Sequence, residues 1–298
     1  SAGDLQLPLY GSGTFTGTAT YDLSVDANGN IIETTGGGAG GPYVPYVSGT
    51  DRIARTEGAA TYNTSLGFKA LQNVTGTYNT VLGALAGDAL VGGSENIAIG
   101  FQSLSTEVSG GKNVAVGHQA LYLLNTGGDG NNTAIGYKAG TAMTTGTQNT
   151  LIGGNAGDAL TTGSSNVALG YRALTTEDTG SRNVAIGDNA LAALNYDGVG
   201  YNTAVGFYAG AAVTTGVYNN LIGSNAGSSL TTGTRNVAIG YNALQAEDAH
   251  GRNVAIGHNA LYAQDAGADA YNVAVGYDAG VSVSTGVENV LIGGLAGD

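Results

Sequence analysis

A five-residue motif recurs fourteen times in this chain at almost constant spacing. Its clearest copies are Asn183-Val184-Ala185-Ile186-Gly187, Asn236-Val237-Ala238-Ile239-Gly240 and Asn253-Val254-Ala255-Ile256-Gly257. The motif Asn stands at 63, 79, 96, 113, 132, 149, 166, 183, 202, 219, 236, 253, 272 and 289, so the usual gap is 17 residues and every fourth gap is 19. A period this short, held this long, specifies stacked coils, with each repeat burying its apolar face against the next. It also argues against an enzyme, because a catalytic site is usually unique and here nearly every feature recurs.

The fold class that follows is all-β: a parallel β-roll or β-solenoid of about fourteen coils over residues 63–298. Counting the motif Asn as position 0, positions 1 and 3 share one strand face. Position 1 is Thr or a β-branched apolar residue in thirteen copies, and position 3 is Ile, Val or Leu in all fourteen. This face is expected to line the interior, with Ile186, Ile239 and Ile256 pointing inward. Stacking places the Asn side chains about 4.8 Å apart. Asn132, Asn149, Asn166, Asn183, Asn236 and Asn253 are therefore expected to form a hydrogen-bonded ladder. Position 4 is Gly throughout, as in Gly136, Gly153, Gly170, Gly187, Gly240 and Gly257, which calls for a special φ or a close backbone approach.

A second order runs over four coils. In its later cycles position 8 reads Gly, Gly, Leu, Leu, as in Gly140, Gly157, Leu174 and Leu191. Positions 2 and 5 also trade size: Leu151 goes with Gly154 and Leu221 with Ser224, whereas Ala134 goes with Tyr137 and Ala204 with Phe207. Close packing forbids two large or two small residues in one space, so these positions are expected to share a volume on the outer face. A graded outer face is a packing face, which suits a parallel homotrimer with Ala185, Ala238 and Ala255 near the subunit contacts; packing alone also admits a dimer or a monomer.

Ahead of the coils, residues 1–35 are expected to hold a β-hairpin module, with Asp26-Ala27-Asn28-Gly29-Asn30 as its turn. Residues 36–62 read as a Gly-rich linker and lead-in. The formal charge of −13 argues against a nucleic-acid partner, whose affinity needs a basic footprint, and against anionic membrane surfaces. No apolar run reaches the length needed for membrane insertion. The absence of Cys removes disulfides and thiolate metal sites.

Few residues stand out as chemistry. The pairs Glu177-Asp178 and Glu247-Asp248 lie one four-coil cycle apart, and are expected to be solvated turns paired with Arg182 and Arg252. His118 and His258 lack His or Cys neighbours in sequence and are expected to pack or face solvent rather than bind metal. No catalytic residue, metal site or cofactor is expected. Tyr62, Tyr78, Tyr201, Tyr218 and Tyr271 each precede a motif Asn. Their rings are candidates for stacking on a glycan, and the plainer expectation is that they brace neighbouring coils.

The Asn-Val-Ala-Ile-Gly motif resembles the head repeat of trimeric autotransporter adhesins. The longer repeats, as in Asn132-Thr133-Ala134-Ile135-Gly136-Tyr137-Lys138-Ala139-Gly140, resemble bacteriophage tail fibre repeats. The stretch from Tyr10 to Glu33, including Val25-Asp26-Ala27-Asn28-Gly29-Asn30, is similar to modules of phage tail proteins. The resemblance implies a left-handed, trimeric roll and a virion tail fibre or cell-surface location. It implies fibre or baseplate proteins and a host-surface glycan as partners. Its function would be a structural, non-enzymatic fibre segment that supports attachment. The alternative it carries is a trimeric adhesin head, and a remote one is a polysaccharide depolymerase.

Overall fold

The computed structural model describes residues 21–25, 31–35, 53–55, 62–72 and 74–298. The chain separates into two units, residues 1–45 and 46–298. In the first, β1 (Tyr21–Val25) and β2 (Ile31–Thr35) form an antiparallel pair, with Tyr21 opposite Thr35 and Val25 opposite Ile31. The turn expected between them, and most of the 36–62 linker, lie outside the described residues.

The second unit is a parallel β-solenoid. It opens with β3 (Ile53–Arg55), antiparallel to β4 (Thr64–Leu66). From β4 to β17 (Val290–Ile292) each coil contributes one three-residue strand at motif positions 1 to 3. Each strand pairs in parallel with the next, in sequence order. The register keeps like on like: Ala168 faces Leu151 in one neighbour and Ala185 in the other.

The strand faces the opposite way from the expectation. Position 2 is the inward residue: Ala134, Leu151, Ala168, Ala185, Ala204, Leu221, Ala238 and Ala255 are fully buried. Positions 1 and 3 point outward and are half-buried or exposed, including Ile186, Ile239 and Ile256. The period was right and the face was inverted. The reason is the shallow interior of a 17-residue coil. One strand residue and the turn side chains fill it, and a row of Val and Ile would not fit beside them. The core is completed by position 7 (Ala139, Ala156, Ala173), position 8 (Leu121, Leu174, Leu191) and position 11 (Leu124, Met143, Leu160, Leu194).

The turns use left-handed backbone repeatedly. Residues at positions 6 and 8 have positive φ, as at Arg172 (54°) and Leu174 (55°), as does the residue before each motif Asn from Asn79 onward, such as Tyr218 (62°). This region costs an L-residue roughly 1–2 kcal/mol. At Leu174 the cost is offset by full burial of a large side chain, worth about 1.5–3 kcal/mol.

The size trade is also corrected. Position 5 side chains are on the outside, so Leu151 and Gly154 share no volume: a Cβ on Gly154 would meet only the neighbouring Tyr171 ring, at 3.4 Å. The partner of Leu151 is position 8. A Cβ on Gly140 would fall 2.7 Å from Leu151 Cδ1, and one on Gly157 would fall 2.9 Å from Leu151 Cδ2. Leu221 stands in the same relation to Gly210 and Gly227. Within one coil a Leu thus stands at position 2 or at position 8, never at both.

Candidate functional site

Stacking turns each motif position into a column, and four columns carry polar or aromatic chemistry. The first is the Asn column, buried from end to end of the described coils apart from Asn289. Its principal bond runs from backbone to side chain: the Asn149 amide N–H donates to Asn132 Oδ1 (2.9 Å), and that of Asn166 to Asn149 Oδ1 (2.9 Å). The side-chain amide then donates to a turn carbonyl of its own coil, Asn149 Nδ2 to Gly163 O (2.9 Å). Asn183, Asn236 and Asn253 accept or donate in the same backbone register. In the 19-residue coils the longer turn removes that carbonyl, and the Nδ2 atoms of Asn113 and Asn253 are buried without a partner.

Beside it runs the Gly column. Gly136, Gly153, Gly170, Gly187, Gly240 and Gly257 have φ between 129° and 143°. A Cβ on any of them would come within 2.1–2.4 Å of the carbonyl oxygen of the next coil's Gly. Both causes foreseen for Gly, conformation and close approach, operate at once.

The third column is position 5, exposed and aromatic. Phe101, His118 and Tyr137 stack with centroids 5.3 and 5.4 Å apart. Tyr241, His258 and Tyr277 repeat the arrangement two four-coil cycles later, at 5.3 and 5.3 Å. In the cycle between, Asp188 replaces the His between Tyr171 and Phe207. Small residues, Ala84, Gly154, Ser224 and Gly294, interrupt the column every fourth coil.

The fourth column holds the Tyr residues before the motif Asn, all exposed. Tyr62 stacks on Tyr78 at 5.1 Å and Tyr201 on Tyr218 at 5.5 Å. Arg182 lies over Tyr201 and its Nη1 donates to the Tyr201 hydroxyl (2.6 Å). Arg235 lies over Tyr218, and Arg252 over Tyr271. These rings brace adjacent coils and also present their outer faces to solvent.

One row of titratable groups departs from expectation. Glu177 and Glu247 are not solvated. They occupy position 11, otherwise a core position, and are fully buried, as is Glu107, which sequence reading passed over. The available signal was a Glu in a row of Leu, Met and Val. Each closes its own turn: Gly110 N–H donates to Glu107 Oε1 (2.6 Å) and Gly180 N–H to Glu177 Oε1 (2.7 Å). The second oxygen takes the next coil, from Thr126 N–H (3.0 Å) in one case and Tyr196 N–H (3.3 Å) in the other. Burial holds the Glu177 carboxyl above the usual range, against the N–H bonds that lower it. Burial does the same to Glu247. The Arg residues pair elsewhere: Arg252 with Asp269 (2.6 Å), and Arg182 with Tyr201.

Among the described residues, no helix is long and apolar enough to cross a membrane. Comparison of the chain with protein-family models, curated proteins and solved structures finds no match to any of them.

Proposed function

We propose that this chain is a structural, non-enzymatic segment of a phage tail fibre or phage-like appendage that supports attachment to a host surface. The observation that carries the reading is the outer strand face. Position 3 forms a continuous row of Ile, Val and Leu, and position 1 a row of Val, Ile and Thr broken only at Asn220 among the described coils, with Leu82, Ile135, Leu169 and Ile222 about two-fifths exposed. An apolar face of this extent marks an interaction surface. Three parallel copies of the chain would cover it, so the subunit contact proposed is this face, replacing the buried Ala185, Ala238 and Ala255. The stacked coils would act as a stiff spacer joined to other fibre or baseplate proteins.

The aromatic columns favour a second reading, the head of a trimeric surface adhesin, in which the exposed rings stack on host glycan. The depolymerase reading loses its motive, because Glu177 and Glu247 are buried in turn contacts rather than flanking a cleft.

Light scattering on the full chain tests the assembly: a trimer mass is expected, and the triple variant Ile135→Glu, Leu169→Glu, Ile222→Glu should yield monomers that keep their β-signature. A monomeric wild-type chain, or a trimer untouched by the three charges, would overturn the proposed interface. Imaging of the native particle separates fibre from adhesin.

A further inference from the structure

The buried Glu row is closed in two cycles and open in the third. Glu107 and Glu177 each use both oxygens on backbone donors. In the third cycle His250 stands where Gly110 and Gly180 stand, and Asp265 where Asn125 and Asn195 stand. The His has a consequence. A Cβ on Gly180 would lie 2.5 Å from the Glu177 carboxyl carbon, and one on Gly110 would meet Glu107 at the same distance. A residue with a side chain there cannot coexist with the closed arrangement. Glu247 keeps the His250 N–H (3.0 Å) and lies 3.3 Å from His250 Nδ1, but its Oε2 is buried with no hydrogen-bond partner.

The same substitutions bring in ligands. Glu247, Asp248, His250 and Asp265 each offer one ligand atom, and the four atoms lie within 4.8 Å of one another. Glu247 forms the buried floor, His250 is a quarter exposed, and both Asp side chains are open to solvent. Three carboxylates held this close repel one another, and an orphaned buried carboxylate oxygen is costly. A cation would relieve both. Imidazole nitrogen with carboxylate oxygen is a donor set for first-row divalent metals, and Ca²⁺ prefers oxygen alone.

We propose that Glu247, Asp248, His250 and Asp265 form a binding site for a Zn²⁺-type divalent cation in the third four-coil cycle, where the two earlier cycles lack the His and the second Asp. The cation would tie the turn after Glu247 to the long turn of the next coil, supplying the cross-coil link that Thr126 and Tyr196 N–H provide in the earlier cycles.

The chain supplies its own controls. His250→Gly and Asp265→Asn restore residues that the earlier cycles carry in the same fold. The full chain, treated with chelator and dialysed, is titrated with ZnCl₂ by calorimetry and with CoCl₂ by visible absorption. The expected result is one Zn²⁺ per chain, Co²⁺ ligand-field bands, and a rise in melting temperature with Zn²⁺. The double variant should fold, bind Zn²⁺ at least tenfold more weakly and lose the melting shift. Absence of Zn²⁺ binding by the wild-type chain would overturn the site. So would an isotherm unchanged in the double variant, which would move binding to other residues. Saturation by Ca²⁺ without Zn²⁺ binding would overturn the metal class.

Discussion

Leu151 fills the space beside Gly157: a Cβ on the glycine would lie 2.9 Å from Leu151 Cδ2. One coil later the arrangement reverses, with Ala168 on the strand and Leu174 on the turn, both fully buried. Leu151→Ala should leave a cavity and cost about 2–5 kcal/mol. Gly157→Leu alone should overpack the layer and cost about 1–3 kcal/mol. The double variant imitates the Ala168 and Leu174 pair and should recover part of the loss, since residues in contact are non-additive. Because the space beside Gly140 stays empty, recovery should be incomplete. Denaturant titration of the three variants checks this; strictly additive losses would refute the shared volume.

The Asn column makes a different prediction. Asn149→Ala removes the acceptor of the Asn166 N–H and the donor to Gly163 O, both buried. Each orphaned group costs about 1–3 kcal/mol. Amide exchange at Asn166 should accelerate, while coils several repeats away stay protected, because solenoid stability is a nearest-neighbour sum. Uniform acceleration along the chain would contradict a local role.

Gly153→Ala probes backbone contact instead of hydrogen bonding. The added Cβ would sit 2.3 Å from Gly170 O, on a residue with φ of 136°. Neither backbone can yield without breaking the strand pairing, so the effect should exceed that of Gly127→Ala, where a Cβ meets nothing within 4 Å and φ is 70°. Thermal melts compare the two; equal losses would mean that conformation alone, not the close approach, requires Gly153.

Glu177 gives a pH dependence with a definite sign. Its carboxyl is raised in the fold, chiefly by burial, so the folded state binds its proton more tightly than the unfolded chain does. Its contribution is most favourable below the unfolded carboxyl value, about 4.3, and declines as pH rises from there through the raised folded value. Relative to Glu177→Gln, the wild-type chain should lose stability over that window. Melts of both proteins at a series of pH values test it, and a wild-type chain that gained stability relative to Glu177→Gln as pH rose would reverse the sign.

Periodicity made the solenoid, its coil spacing, the Asn column and the Gly column readable from the residues. Each of these depends only on identical units meeting identical units at a fixed interval. The antiparallel pairing of Tyr21–Val25 with Ile31–Thr35 follows from local sequence, two β-prone stretches on either side of Asp26 to Asn30. The face of the strand was not readable. Ala185 and Ile186 alternate equally well in either orientation, and the usual preference for β-branched residues inside points the wrong way. What decides it is closure of the coil, which leaves room for Ala or Leu at position 2 only when positions 7, 8 and 11 supply the rest of the core. The error in the size trade has the same root: Gly154 and Gly157 both covary with Leu151, and only the turn between them shows which one touches it. Glu247, Asp248, His250 and Asp265 span neighbouring coils, so their approach depends on how two turns stack, a property no single repeat contains.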